Sequence, residues 1–342
     1  EVLAAIKFPN QAQFNSYKYI IGLANKIEEN KGEIYEYSKV IDIKGEDDIY
    51  VVETENSKIK AEYVVIASHY PIINFPGFYF MKMYQETSYL IAVETNNELF
   101  DGMYINAEEP AISLRTAIYN GKRVLLVGGM NHKTGAKIDL KQAYKKLEKV
   151  AKSLYPDCKV LFRWNTEDCI TLDKIPYIGE FSNFMPNVYV GTGYKKWGMT
   201  SSNVAANIIT DKILGRENKY EEVFNSKRLK PIKNYKELGN MLKEVSYSLV
   251  INKLRKEDEL LKNINKGEGK IVEVEGKKVG VYKDKEGNIF AVKPYCTHLG
   301  CELSWNNLDD TWDCPCHGSR FTYEGKNIYD PAIKDLEKLN IF

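Results

Sequence analysis

The sequence predicts an α+β / α/β body followed by a small all-β domain, and three observations carry that prediction. Helix-period and strand-like segments alternate over residues 1–225. A lysine-rich stretch with one apolar stripe occupies 226–264. After "NKGEGK" the pattern changes to short alternating strands with Gly-containing turns, which fill 265–342. At 342 residues, 44% hydrophobic and 28% charged, the chain can bury a core and form two domains. Lys+Arg 48 against Asp+Glu 47 leaves a formal charge of +1, which argues against a nucleic-acid surface or a polybasic membrane patch. No run approaches about 18 apolar residues and no signal-peptide pattern opens the chain, so a cytoplasmic protein without a membrane span is expected.

Taken in order, "FNSYKYIIGLANKIEENKG" places Tyr17, Ile20, Ile21, Leu23, Ala24 and Ile27 at helical spacing, with Gly32 as a stop signal. Short strands "EIYEY", "VIDI" and "IYVVET" follow, then "AEYVVIAS", a continuous apolar run of the kind found in a buried parallel strand. "TSYLIAVET", "MYIN", "AISLRTAIY" and "KRVLLVGGM" read as an antiparallel meander, and "LKQAYKKLEKVAKSLYP" as an amphipathic helix. Over 186–215 a strand, a glycine-bearing turn and a helix beginning near Thr200 succeed one another. Gly191, Gly193 and Gly198 permit close backbone approach there, and free N–H groups at the helix start favour a partial negative charge. Within 226–264, Tyr235, Leu238, Met241, Leu242, Val245, Leu249 and Leu254 recur every three or four residues, which predicts a linker helix.

The C-terminal domain holds the densest chemistry. "CTHLGCELSWNNLDDTWDCPCHGS", residues 296–319, contains four of the six cysteines and two of the four histidines. Cys296 and His298 form C-x-H, Cys314 and His317 form C-x-x-H, and 15 residues separate His298 from Cys314. Two tight loops can thus offer two thiolates and two imidazoles to one centre, a set that zinc would also accept. Cys301 and Cys316 fall one in each loop and suggest a disulfide joining them.

C-T-H-L-G-C followed by C-P-C-H-G-S resembles the Rieske [2Fe-2S] family in its cytochrome bc-type branch. The resemblance implies that Cys296 and Cys314 bind the inner iron, that His298 and His317 bind the outer iron near the surface, and that Cys301 and Cys316 clamp the loops. Two histidines in place of two cysteines put such clusters at about −150 to +300 mV. The resemblance also implies a hydrogen bond from Ser319 to the cluster, whereas Phe321 stands where high-potential members carry a tyrosine, which lowers the expected potential.

"TLDKIPYIGE" (171–180), the 186–215 segment, "FPNQAQFNSYKYIIGLA" and "VVIASHYPI" are together similar to the D-amino-acid oxidase / glycine oxidase (DAO) family of FAD-dependent oxidoreductases, over residues 1–225. That likeness implies a DAO-like body with a substrate domain at about 76–170. It implies a helix start near Thr200 facing the isoalloxazine, and Val40 with the Ala67–Ser68 turn on the adenine and ribose side. The cofactor-binding candidates are Val40, Ala67, Ser68, Gly191, Gly193, Tyr194, Trp197, Gly198, Met199 and Thr200; no catalytic residue is identified. The G-x-G-x-x-G with which the family opens is absent. The FAD-binding domain therefore reads as incomplete, with a preceding segment on the order of 150 residues expected and little FAD held by this chain alone.

Where many amine-oxidising relatives grip the substrate carboxylate with an arginine, this chain has Asp168, followed by Cys169. A cationic amine suits Asp168 better than an α-amino acid. Arg115 and Arg163 read as surface or structural arginines, His69 and His132 as loop or core histidines, and Cys158 and Cys169 as plain thiols. The implied function is an FAD-dependent dehydrogenase module that oxidises a small-molecule substrate and passes single electrons to a Rieske cluster, which exchanges them with a donor or acceptor protein. A pure Rieske electron-transfer protein is the alternative. A Rieske oxygenase would need a 2-His-1-carboxylate iron site, and His69 and His132, 63 positions apart, do not form the usual close pair.

Overall fold

A computed structural model describes residues 3–46, 49–136, 142–228, 239 and 264–340. The linker helix expected over 226–264 therefore lies almost wholly outside the described residues.

Helix α1 (Ser16–Glu29) begins on Asn15, whose side chain accepts the Lys18 N–H at 3.0 Å and so satisfies one of the donors that a helix start leaves free. The expected helix is present, but none of its residues is buried. "EIYEY" does not form the expected strand: residues 33–37 have no sheet partner among the described residues, and Tyr37 turns the chain in the left-handed region at φ 53°. Strands β1 (Val40–Glu46), β2 (Ile49–Thr54) and β3 (Lys58–Ala61) make a three-stranded antiparallel meander. "AEYVVIAS" divides between the end of that meander and β4 (Val64–Ile66).

A larger sheet follows. Strands β5 (Met83–Glu94), β6 (Tyr104–Ile105), β7 (Ile112–Tyr119), β8 (Lys122–Lys133) and β9 (Lys159–Thr171) pair in the order β6-β7-β8-β5-β9, all antiparallel. Helix α2 (Gln142–Leu154) buries Ala143, Leu147 and Ala151, four residues apart, against Ile91, Val93, Leu125 and Val127. Each such large apolar side chain contributes roughly 1.5–3 kcal/mol. Next, β10 (Tyr177–Ser182) pairs antiparallel with β11 (Met185–Thr192), and β11 runs parallel to β4 through Val188↔Val64 and Val190↔Ile66. The apolar run before Ala67 is thus the parallel strand expected. Helix α3 (Gly198–Ile213) starts two residues ahead of Thr200, and the short α4 (Glu221–Phe224) follows.

The C-terminal domain is two antiparallel sheets. One contains β12 (Glu268–Val274), β13 (Lys277–Lys283) and β14 (Ile289–Val292). The other contains β15 (Ser304–Asn306), β16 (Thr311–Asp313), β17 (Arg320–Thr322) and β18 (Asn327–Tyr329). Trp312, Phe321 and Leu303 form its core together with four cysteines.

The two domains meet across β5 and β9. Directly paired residues share a sheet face, so Gln85 with Cys169, Thr87 with Glu167 and Tyr89 with Asn165 point one way, while Glu86 with Asp168 and Ser88 with Thr166 point the other. Arg320 of β17, 1% exposed, reaches the first face, bonding Glu167 Oε1 (2.5 Å) and Asn165 Oδ1 (2.7 Å). The same guanidinium also holds Asp313 (3.0 Å) and Asp309 (2.9 Å) in its own domain. Gln85 donates from Nε2 to the Asp330 carbonyl at 2.7 Å. Contact is close enough to require glycine on both sides. A Cβ on Gly318 (φ +85°) would fall 2.6 Å from Gln85 Cβ, and one on Gly135 (φ +73°) 2.5 Å from the Pro315 nitrogen.

Two outcomes follow from this interface. Arg320→Ala leaves buried Glu167 and Asp313 and half-buried Asp309 without their cation, and urea unfolding should register a loss of about 3–5 kcal/mol. The second concerns Asp330, whose carboxyl burial pushes up to about 6 from 3.8 against the opposing pull of Lys39. Between those values the folded chain holds a proton that the unfolded chain has released, so this group's contribution to stability falls as pH rises through the window. Asp330→Asn should flatten that slope in urea midpoints taken between about pH 4 and pH 7; a slope unchanged from wild type contradicts the assignment.

Candidate functional site

Residues 293–303, after β14, and 314–319, between β16 and β17, form two loops of matching construction. In one, the Gly300 N–H bonds the Cys296 carbonyl and the Cys296 N–H the Cys301 carbonyl; in the other, Gly318 bonds Cys314 and Cys314 bonds Ser319, all at 2.8–3.0 Å. Each loop folds its own amides onto its cysteine: the N–H groups of His298 and Leu299 address the Cys296 sulfur, and those of Cys316 and His317 the Cys314 sulfur. Such donors stabilise thiolate charge. The Cys301–Cys316 disulfide joins the loops, and both its sulfurs lie within 4.8 Å of the Cys314 sulfur. Cys296 and Cys314 are free, buried and hydrogen-bonded to each other, which draws negative charge onto Cys296 and pushes the Cys314 thiol up.

The same two loops bring the two imidazoles together, with ring centroids 5.1 Å apart. Burial holds His298 down at about 4 and His317 at about 3, so both are neutral near pH 7, the form that ligates metals. Nδ1 of each is buried with no hydrogen-bond partner among the described residues. A native interior rarely strands such groups. Two thiols and two unpartnered Nδ1 atoms are the donor set that a Rieske [2Fe-2S] cluster takes, so the residues fit that group. The Ser319 hydroxyl accepts the Ala332 N–H at 2.9 Å, keeping its proton for the Cys296 sulfur. Phe321 is fully buried opposite Trp312 and offers no such donor.

One expectation is corrected. The imidazoles do not lie on an open surface: His317 is 1% exposed and His298 half-buried. The segment before β5 covers them. Phe80 packs edge-on against both rings, at 6.3 Å and 5.8 Å, and Asn74 Oδ1 lies 2.5 Å from His298 Nε2. Asn74, Phe80 and Gln85 escape any reading of spacing because they stand more than 200 positions from the loops they touch.

The flavin candidates gather at one edge of the body. Val40, Ala67 and Ser68 line a pocket of ≈ 370 Å³ with Val64, Ile66 and, from the C-terminal domain, Asp330. Gly191 is the penultimate residue of β11, followed after Thr192 by Gly193, Tyr194, Trp197 and the α3 start at Gly198, Met199 and Thr200. Parallel pairing of β4 with β11 sets these two groups side by side, and Thr192 donates to the His69 carbonyl at 2.5 Å. Carboxyl ends of adjacent parallel strands are where open α/β sheets receive ligands. The first N–H groups of α3 have no intrahelical partner. Thr200 turns its hydroxyl back to the Trp197 carbonyl (3.1 Å), Tyr194 packs against the inner face of α3, and Trp197 is 68% exposed. These residues fit the outer part of an FAD site; the chain has no G-x-G-x-x-G for the pyrophosphate.

On the far face of the β5–β9 pair, Asp168 stands opposite Glu86, and Lys196 bonds Glu86 Oε2 (3.3 Å) and Ser88 Oγ (3.1 Å). Burial pushes the Asp168 carboxyl up, Lys196 pulls it down and Glu86 adds to the rise. Arg163 is engaged by Glu148 at 2.7 Å and Arg115 is exposed. His132 stacks on Tyr89 (5.7 Å, 8°), His69 sits in the turn after β4, and the Cys158 and Cys169 thiols are buried.

Comparison with known proteins bears on the family and the fold. The family model for FAD dependent oxidoreductases (DAO) matches residues 1–212, and that for the Rieske [2Fe-2S] domain matches 256–340. A Bacillus subtilis (strain 168) protein named as a Rieske 2Fe-2S iron-sulfur protein, YhfW, is 37% identical over 337 residues, 98% of this chain and 66% of that protein. The cytochrome b6-f complex iron-sulfur subunit of Chlorobaculum tepidum is 35% identical over 79 residues, 23% of this chain and 43% of that subunit. The crystal structure of glycine oxidase from Geobacillus kaustophilus overlays with a TM-score of 0.51 at 22% identity, over 61% of this chain and 56% of that one, a likeness of fold. The chain thus spans less than two thirds of the length of these relatives. No helix among the described residues is long and apolar enough to cross a membrane. A Rieske domain implies a [2Fe-2S] cluster and a DAO domain implies FAD. The chain belongs to the DAO family of FAD-dependent oxidoreductases and carries a Rieske [2Fe-2S] domain at its C-terminal end.

Proposed function

We propose that the protein is a dehydrogenase that oxidises a small cationic amine and hands the electrons on one at a time. In this reading Cys296 and Cys314 hold the inner iron of the cluster, and His298 and His317 hold the outer iron through Nδ1. Val40, Ala67, Ser68 and the β11–α3 turn hold FAD. When bound, FAD supplies hydride acceptance and the cluster supplies single-electron relay. The chain's own residues do the rest. Asp168 and Glu86 attract a cationic amine, with Lys196 limiting their charge and orienting Glu86. The packed face of Gln85, Cys169 and Glu167 excludes water between that cluster of charges and the iron loops. One substrate oxidation releases two electrons, which leave as two single deliveries to a one-electron acceptor protein. The cytoplasmic setting expected from the sequence belongs to the same proposal.

The observation that supports it most is the shared pocket. Asp330, from the domain that carries the iron ligands, lines the same cavity as Val40, Ala67 and Ser68. A domain that served an unrelated partner would have no reason to close the flavin pocket of its neighbour.

The test is anaerobic addition of an amine to the FAD-loaded protein, followed by optical and EPR spectra. The Rieske signal of the reduced cluster should rise as flavin absorbance falls, with cationic amines outperforming α-amino acids. Bleaching of the flavin while the cluster stays oxidised until dithionite is added would contradict the coupling and favour a pure shuttle.

A further inference from the structure

We infer that Asn74, in the flavoprotein body, is a positioning residue for His298: its side-chain oxygen fixes the imidazole as the Nε2–H tautomer and so presents Nδ1 to the outer iron. The inference rests on the ligand assignment proposed above and adds to it a residue from the other domain.

His298 Nε2 and Asn74 Oδ1 are 2.5 Å apart. An amide oxygen carries no proton, so the bond exists only when Nε2 carries one. A neutral imidazole has a single N–H, which leaves the lone pair on Nδ1. Nδ1 is buried and has no partner among the described residues. Asn74 therefore selects, before any metal arrives, the tautomer that a metal requires. Its own position is fixed, because the Phe78 N–H bonds the Asn74 carbonyl at 2.8 Å and Phe75 packs edge-on against Phe78 and Phe80, the latter resting on both imidazoles. Among the described residues His317 has no side-chain acceptor of this kind; the body meets it through the Phe80 ring and backbone. The two histidines are thus held differently: among the described residues only His298 donates to a side chain of the flavoprotein body.

An N–H···O bond from a ligating imidazole pushes electron density toward the metal and favours its oxidised state. The strength of the acceptor at position 74 should accordingly set the potential. Asn74 is only half-buried on the wall of an open cleft, so its substitution leaves the fold intact.

The test is a redox titration of the cluster by visible circular dichroism in wild type, Asn74→Ala and Asn74→Asp at one pH and ionic strength. Asn74→Ala loses the acceptor and should shift the midpoint positive; Asn74→Asp strengthens it and should shift the midpoint negative. Potentials unchanged in Asn74→Ala, or shifted negative, overturn the inference while the cluster assignment stands. Were the amide turned to donate instead, Asp would break the bond and would not lie on the opposite side of wild type from Ala, which also overturns it. A wild-type protein without a Rieske spectrum overturns the ligand assignment itself.

Discussion

Everything distinctive about this molecule depends on keeping two loops, separated in sequence by the β15–β16 hairpin, closed against each other. Burying two thiols and two imidazoles without partners is costly, and the chain meets that cost with covalent and backbone constraints around the site. The Cys301–Cys316 link fixes the spacing of the loops. The amides of residues 298, 299, 316 and 317 fix the orientation of the cysteine sulfurs. Nδ1 of both His298 and His317 is among the buried polar atoms left without a partner among the described residues, and these are atoms that can ligate a metal.

A second constraint decides how the centre is used. Arg320 is buried at the domain boundary with carboxylates from both sides, and removing either side would strand charge in a low-dielectric interior. Together with the glycine contacts at 135 and 318, it holds the C-terminal domain in one pose. In that pose the histidine edge faces Asn74 and Phe80 of the flavoprotein body. The β5–β9 sheet becomes a shared wall, with Asp168 and Glu86 on one face and Gln85 and Glu167 against the iron loops on the other.

Much of this was legible in the sequence, for physical reasons that also explain the misses. The ligand loops are local: C-x-H-x-x-C and C-x-C-H bring every donor within a few residues of its partner, so spacing suffices. The apolar run at 64–66 and the glycine-bearing turn before α3 are likewise local. Strand β9 went unread because Asn165, Glu167 and Asp168 interrupt its apolar pattern, and two of these are polar only because Arg320, over 150 positions away, meets them. "EIYEY" has strand propensity but, among the described residues, no neighbouring strand to pair with. The expected exposure of the imidazoles failed because the covering segment, residues 74–80, carries no signal of its role beyond ordinary aromatic residues.

The most direct measurement is the iron, zinc and acid-labile sulfide content of anaerobically purified protein, with an EPR spectrum after dithionite reduction. Two irons and two sulfides per chain with a Rieske-type signal are the result this account predicts. Zinc in place of iron, or iron without labile sulfide, would contradict it.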